Sequence, residues 1–309
     1  MNKQPPVVAI LGPTAVGKTE LSLELAERLN GEIISTDSRL LYRGMDIGTA
    51  KPSLEQRERV PHHLIDVANP DVNWSLVKFR TEALLAMQEI HKRKRLPLLV
   101  GGTGQYMTAI LEGWIPPPKP ADLNYRKELA KFAENQGKEA LHEKLKEVDP
   151  KTAERIHASN VRRVIRALEI HHITGEPPSK IRRKEPPPFR SLRIGLQLPR
   201  DQLYERIDAR IDGMILAGLL SEVQKLMDDG YGPELPAMSA IGYKQVAEVI
   251  HGKRTLEEAI AEMRRLTHQF VRRQANWFKP SDPEIHWFDV REGVVEEIVL
   301  LVRSWLMEE

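Results

Sequence analysis

The octapeptide Gly12-Pro13-Thr14-Ala15-Val16-Gly17-Lys18-Thr19 sits directly behind the apolar run Val7-Val8-Ala9-Ile10-Leu11. It demands a strand, a tight loop and a helix, in that order. The octapeptide fits G-x-x-x-x-G-K-[ST], the phosphate-loop pattern. The run before it reads as a buried strand, and residues 20–29 read as the helix that follows. The glycines let the backbone curl so that successive N–H groups face one anion. The helix start adds partial positive charge. Lys18 is placed to reach a terminal phosphate, and the Thr19 hydroxyl to sit on Mg²⁺. The loop implies a polyphosphate site. It leaves open whether the phosphates are transferred, hydrolysed or lost as a leaving group.

The surrounding sequence extends this unit into an α/β domain. Strands are predicted at 7–11, 32–35 and 96–100, with helices at 20–29 and 75–94 between them. In the second helix Leu76, Phe79, Ala83, Ala86, Met87 and Ile90 recur at helical spacing. Alternating strands and helices imply a parallel, doubly wound sheet, in which ligands bind beyond the strand C-termini. The three strands run into the phosphate loop, Thr36-Asp37-Ser38 and Gly101-Gly102-Thr103-Gly104, so these loops should face one cleft.

Pro116-Pro117-Pro118-Lys119-Pro120 and Glu185-Pro186-Pro187-Pro188 read as semi-rigid connectors. Between them 123–136, 138–147 and 160–174 read as helices. Beyond them 192–198 reads as a strand, and 202–227, 244–250, 255–278 and 293–307 as helices. The expected fold is a phosphate-loop NTPase-like parallel sheet core with a helical insertion domain and a helical C-terminal part. The core should comprise 1–119 and 188–309, and the insertion 120–187.

Composition narrows the class. A chain of 309 residues with 41% hydrophobic and 29% charged residues is ordinary for a globular protein. No apolar run has spanning length. The first residues lead into only a five-residue apolar strand, too short for a signal sequence, so a cytoplasmic address is expected. With no cysteine there is no disulfide, cysteine nucleophile or thiolate zinc site. The net charge of +2 is unevenly spread: residues 151–193 hold eleven Lys/Arg against four acids, so the remainder is −5. Positive charge concentrated in a chain with a phosphate loop suggests a polyanion larger than a nucleotide. A solvated charged face is the competing reading.

Several residues can carry chemistry. Asp37, just past a strand tip, can hold Mg²⁺, accept a proton from a nucleophile, or simply cap a turn. Gly101-Gly102-Thr103-Gly104 offers a flexible turn and a hydroxyl where a phosphate-loop NTPase usually has an acid. Arg206 and Arg210 share one helical face and suit a bidentate phosphate clamp or, with Asp208 and Asp212, a salt-bridged surface. On 255–278, Arg265, His268 and Arg272 align on one side, with Met263, Leu266, Phe270 and Trp277 available for the core side. Such a face, and a second one at Arg162, Arg163 and Arg166, suits a nucleic-acid backbone. His62-His63 and His171-His172 lack ligand spacing for a metal.

The order of these motifs resembles the bacterial tRNA dimethylallyltransferases. Beyond the phosphate loop, the most specific block is Asp37-Ser38-Arg39-Leu40-Leu41-Tyr42-Arg43-Gly44-Met45-Asp46-Ile47-Gly48-Thr49-Ala50-Lys51-Pro52. Gly101 to Tyr106, Arg163 to Glu169, Leu203 to Asp208, Met238 to Gln245 and Thr267 to Phe278 are also similar, so the likeness runs from about 7 to 280. It implies transfer of a dimethylallyl group from its diphosphate to N6 of adenosine 37 in the tRNA anticodon loop.

The resemblance also assigns roles. Gly12, Pro13, Thr14, Ala15, Val16, Gly17, Lys18 and Thr19 would cradle the diphosphate, with Mg²⁺ on Thr19. Asp37, Lys18, Thr103 and Arg206 would be catalytic. Asp37, Ser38, Arg39, Leu40, Thr103, Arg162, Arg163 and Arg166 would contact the anticodon stem-loop, as would Ala240, Gly242, Lys244, Gln245, Arg265, His268, Gln269, Arg272 and Arg273. The insertion would grip one side of the tRNA. No membrane and no obligatory protein partner are implied. Leu40, Gln105 and His268 depart from the residues common at those positions, which loosens individual RNA contacts but not the reaction.

Two other readings compete. A small-molecule kinase would hold ATP in the loop and use Asp37 as base or metal ligand. A non-catalytic RNA-binding module would not need an acid there.

Overall fold

The computed structural model describes residues 4–115, 122–181 and 183–308, and for Arg183 the backbone only. Eight strands appear in chain order: β1 (Pro6–Leu11), β2 (Gly31–Ser35), β3 (His62–His63), β4 (Leu96–Val100), β5 (Trp114–Ile115), β6 (Arg183–Lys184), β7 (Arg190–Gln197) and β8 (Ile285–Asp289). Six of them form one sheet in the order β3-β2-β4-β1-β7-β8, and every pairing in it is parallel. β1 lies inside the sheet, between β4 and β7. That position explains the unbroken Val7-Val8-Ala9-Ile10-Leu11 run, since a strand covered on both faces needs apolar side chains at every position.

The predicted strands at 7–11, 32–35, 96–100 and 192–198 all occur, within two residues of their expected ends. Helices occur where predicted at Lys18–Leu29, Leu76–Lys92, Leu123–Gln136, Lys138–Val148, Val161–Thr174, Tyr243–Ile250, Leu256–Gln274 and Val294–Met307. The single helix expected over 202–227 is instead two, Arg200–Leu216 and Leu219–Asp228. Gly218 separates them at φ 97°, a left-handed conformation that glycine adopts without a Cβ clash. The reading of the chain after 198 as mostly helical also missed β8, which pairs with β7 at the sheet edge.

The chain divides into two compact units, Met1–Leu111 with Pro187–Glu309, and Glu112–Pro186. The first is the sheet with its helices. The second has a core of its own, in which Leu129, Leu141, Leu145, Val164 and Leu168 are buried together. Within it the buried Glu169 carboxylate accepts from Arg126 Nε at 2.8 Å, from the Asp122 N–H at 2.8 Å and from Arg166. Burial alone would raise the pKa of Glu169, but these guanidiniums hold it below the ordinary range. The first proline cluster, Pro116 to Pro120, the boundary expected at 119/120, and Arg182 lie outside the described residues. Among the described residues no helix is long and apolar enough to cross a membrane.

Candidate active site

Three strand tips build the site, and glycines shape the first and third of its loops. At the end of β1, Gly12 has φ 146°, and a Cβ there would lie 2.7 Å from the Leu196 carbonyl oxygen of β7. Gly17, at φ 107°, caps the Lys18–Leu29 helix. Ala15 is held at φ 64°, uncommon for a residue with a side chain. The loop thus closes over the helix start, where the first main-chain N–H groups have no partner within the helix. Lys18 Nζ donates to the Gly12 and Pro13 carbonyls at 3.0 and 2.6 Å. Loss of water pulls the Lys18 pKa down to about 8, with Arg210 acting in the same direction and Asp37 against it. Thr19 is exposed at the same helix start.

The second loop hangs from β2. The Thr36 N–H donates to the Val100 carbonyl at 2.8 Å, tying it to the end of β4. Asp37 Oδ1 accepts the Arg39 N–H at 2.8 Å. The turn-capping and chemical readings of Asp37 are therefore compatible, because the turn uses only one carboxylate oxygen of a residue that lines the cleft. The Ser38 N–H donates to Thr103 Oγ1 at 3.2 Å, joining the second loop to the third. A hydroxyl that accepts in this way keeps its own proton to donate.

The third loop is clamped by a residue that sequence reasoning passed over. Gln274, buried at the end of the Leu256–Gln274 helix, accepts the Thr14 N–H on Oε1 at 2.9 Å. Its Nε2 donates to the Gly102 carbonyl at 2.9 Å. One amide therefore joins the phosphate loop to the glycine turn. Both neighbouring glycines are required by close approach: a Cβ on Gly102 would lie 2.2 Å from Gln274 Nε2, and one on Gly104 would lie 2.1 Å from Trp277 Cγ.

Two cavities open around these loops. One, of about 510 Å³, is bounded by Asp37, Ser38, Arg39, Thr103, Ala240 and the helix side chains Met263, Phe270 and Arg273. The other, of about 380 Å³, is bounded by Gly17, Lys18, Thr19, Leu40 and Arg206. Thr14, Ala15, Asp37, Thr49 and Arg210 belong to the walls of both. The larger is the right size for a small-molecule or nucleobase site. All three predicted loops meet at one cleft, with Asp37 where the cavities adjoin.

The remaining candidates fall into several environments. Arg210 borders both cavities; burial lowers its pKa, while facing Asp37 raises it. It is a stronger phosphate candidate than sequence spacing alone allowed. Arg206 is exposed near the loop, within 4.0 Å of where a Cβ on Gly17 would stand. Arg39 turns its guanidinium to the Pro236 and Ala237 carbonyls at 2.9 and 3.1 Å and to the Ser239 hydroxyl at 3.3 Å.

Gln245 is buried and accepts the Gly242 N–H at 2.9 Å, capping the Tyr243–Ile250 helix, whereas Lys244 is exposed. His268 stacks on Tyr204 at 4.0 Å between ring centres and pairs with Asp208 at 3.0 Å. Arg272 donates to the Tyr204 hydroxyl at 3.1 Å, and Arg265 pairs with Glu262. Gln269 is half-buried and Arg273 exposed. Phe270 and Trp277, read from sequence as core residues, instead border the larger cavity beside the buried Met263, and Trp277 is 41% exposed.

In the second unit Arg162 and Arg163 are exposed, while Arg166 is engaged by Glu169. Three of the paired histidines have protein partners in the structure: His63 meets Glu32 at 2.6 Å, His62 the Val60 carbonyl at 2.7 Å, and His172 stacks on Tyr125.

A parallel sheet with a phosphate loop at one strand tip, an acid at the next and a glycine-hydroxyl turn at the third defines a class of proteins with a phosphate-loop NTPase-like fold. Within that class the chain belongs to the IPP transferase family, whose model matches residues 40–281. A tRNA dimethylallyltransferase of Thermomicrobium roseum is 48% identical over 310 residues, covering 100% of this chain and 94% of the relative. Another, of Roseiflexus castenholzii, is 52% identical over 89% of this chain and 90% of its own. The full-length tRNA isopentenylpyrophosphate transferase of Bacillus halodurans superposes with TM-score 0.73 at 44% identity, covering 98% of this chain and 97% of the other. A eukaryotic dimethylallyltransferase, solved acting on tRNA, gives TM-score 0.81 at 28% identity, covering 97% of this chain and 77% of its own.

Proposed function

We propose that this protein transfers a dimethylallyl group from dimethylallyl diphosphate to N6 of adenosine 37 in the tRNA anticodon loop, releasing diphosphate. The observation that carries this reading is the pair of adjoining cavities. One is walled by the phosphate loop, the other by a hydroxyl turn and a basic helix, and Asp37 belongs to both.

In the reaction the allylic C–O bond breaks, an N–C bond forms, and the N6 proton leaves. The departing diphosphate gains negative charge, so stabilisation must come from groups already aimed at it. Lys18, the N–H groups opening the Lys18–Leu29 helix, Arg210 and Arg206 fit that task. Phosphate oxygens would draw the Lys18 ammonium off the Gly12 and Pro13 carbonyls.

The Thr19 hydroxyl, exposed in the diphosphate cavity with Asp37 nearby, is a hard oxygen donor suited to Mg²⁺. When bound, Mg²⁺ would supply further charge neutralisation on the leaving group. The N6 amine is a weak nucleophile because its lone pair is conjugated into the ring. The Asp37 oxygen not used by the Arg39 N–H orients it and takes its proton. The Thr103 hydroxyl, fixed by the Ser38 N–H, donates to the adenine region.

The adenine must leave the anticodon stack to enter the larger cavity. Ser38, Leu40, Ala240, Lys244, Gln269 and Arg273, with Arg265, His268 and Arg272 along the basic helix, form the proposed RNA surface on the first unit. Arg162 and Arg163 supply proposed contacts on the second, the helical insertion. Arg39, Arg166, Gly242 and Gln245 act there by shaping the surface, since their polar groups are used within the protein. A tRNA substrate suits a cytoplasmic address.

The test is transfer without any nucleoside triphosphate. Purified protein, Mg²⁺, unmodified tRNA and dimethylallyl diphosphate should release one diphosphate per prenylated RNA. Turnover only with ATP, and phosphate in place of diphosphate, would point to the kinase instead.

A further inference from the structure

One carboxylate outside the catalytic loops is saturated with donors that all bear on the site. Glu222, on the Leu219–Asp228 helix, accepts three consecutive main-chain N–H groups, from Asp46 at 3.0 Å, Ile47 at 2.8 Å and Gly48 at 3.2 Å. A fourth bond comes from the Tyr243 hydroxyl at 2.6 Å. Tyr243 is fully buried, and burial together with Glu222 pushes its pKa far up, so it remains a donor. Successive N–H groups turned toward one anion form a nest, and here the anion is part of the protein.

The clasped segment is the wall of the cleft. Gly48 and Thr49 border the larger cavity, and Thr49 and Ala50 the diphosphate cavity. Gly48 lies against Tyr243 so closely that a Cβ would fall 2.5 Å from Cε2. The Thr49 hydroxyl is turned inward to the Met45 carbonyl at 2.6 Å. Lys51 secures the far end: its buried ammonium donates to the Tyr42 carbonyl at 2.8 Å and pairs with Asp66 at 2.6 Å and with Asp46. The Ala50 and Lys51 N–H groups close the turn on the Ile47 and Asp46 carbonyls at 2.9 Å, and Glu222 is the acceptor for the 46–48 N–H groups.

We propose that Glu222 is a positioning residue, holding Gly48 and Thr49 as the wall between the two cavities and so setting how the RNA adenine meets the allylic carbon. This rests on the transferase reading. None of the clasp's hydrogen bonds goes to the 12–19 loop, so it acts first on alignment of the two substrates and only second on the grip on diphosphate. It also needs a carboxylate. An amide has one accepting oxygen, and in either orientation its NH₂ would confront at least one main-chain N–H, so glutamine of the same shape cannot accept all four bonds.

The experiment compares Glu222→Gln, Glu222→Asp, Glu222→Ala and Tyr243→Phe with the parent protein. Folding is checked by circular dichroism, dimethylallyl diphosphate affinity by titration, and single-turnover transfer is measured at saturating RNA. Glu222→Gln should lower the transfer rate tenfold or more, with diphosphate Kd within threefold. Glu222→Asp should recover part of the rate. Acetate, unlike chloride at equal ionic strength, should restore Glu222→Ala severalfold. Tyr243→Phe keeps the carboxylate and removes one of four donors, so it should lose three- to tenfold, and it serves if the Glu222 variants do not fold. A folded Glu222→Gln within twofold of the parent rate would overturn the proposal. So would an unchanged rate in Tyr243→Phe if the Glu222 variants do not fold. Absence of transfer in the parent protein would instead count against the reaction itself.

Discussion

Gln274 and Gly102 should behave as one unit, and a double-mutant cycle can measure this. Gln274→Ala leaves the Thr14 N–H and the Gly102 carbonyl without their partners. Gly102 is buried and Thr14 half-buried. At about 1–3 kcal/mol for each buried group left unpaired, with water recovering part of the loss at Thr14, the expected cost is about 2–4 kcal/mol. Gly102→Ala reaches the same end by another route. Its Cβ would fall 2.2 Å from Gln274 Nε2, so the amide must swing away and both bonds are lost. The double variant has no amide to displace. It should cost about 2–4 kcal/mol as well, not the additive sum of about 4–8 kcal/mol. Urea unfolding gives the stability cycle, and kcat/KM for dimethylallyl diphosphate gives the functional one, about tenfold for each 1.4 kcal/mol that falls on the transition state. Additive losses in both cycles would refute the idea that one amide joins the two loops.

Other outcomes follow from the same geometry. Asp37→Asn should lower kcat by roughly 10²–10⁴ while tRNA affinity stays within threefold; a large loss of binding would mean that Asp37 mainly builds the turn. Lys18 has a pKa of about 8 in the folded protein against an ordinary 10.5, so diphosphate affinity should weaken as pH rises through 8. The unfolded chain binds the extra proton between those values, so this group's contribution to stability should rise from pH 8 toward 10.5; Lys18→Met should abolish both trends, and persistence of either would reject the assignment. Arg272→Ala should weaken tRNA binding at low salt and reduce the slope of log K against log salt by about 1; an unchanged slope would remove it from the RNA surface.

Much of the site was legible because its parts lie close together in sequence and their demands are local. An apolar run at β1 and glycines that must adopt positive φ leave few alternatives for residues 7–19. Asp37 and Thr103 were visible because each follows a strand directly, and parallel topology brings strand tips together. What escaped depends on partners far along the chain. Gln274 is a glutamine on a basic helix, and nothing near it in sequence marks it until Thr14, 260 positions away, is found against it. Glu222 is one of two acids on the amphipathic Leu219–Asp228 helix, and only the folded 46–48 backbone shows its use.

Phe270 and Trp277 fit a core stripe by spacing, yet Phe270 borders a cavity, and Trp277, past the end of the helix at Gln274, borders the same cavity while packing on Gly104. The break at Gly218 was hidden because apolar periodicity continues across it, although a glycine in that place is a C-terminal signal. β8 combines Ile285 and Trp287 with the exposed His286 and Asp289, as an edge strand can, and β3 is only two residues long. Neither carries enough pattern to be read alone.

The most direct measurement is where the label goes. Protein, Mg²⁺ and unmodified tRNA are incubated with dimethylallyl diphosphate labelled in the allyl group, without ATP, and the RNA is digested to nucleosides and mapped. The account predicts one labelled nucleoside, N6-dimethylallyladenosine, from position 37, formed at least about a hundredfold more slowly with Asp37→Asn. Label at another base or atom, or no label while ATP is consumed, would contradict it.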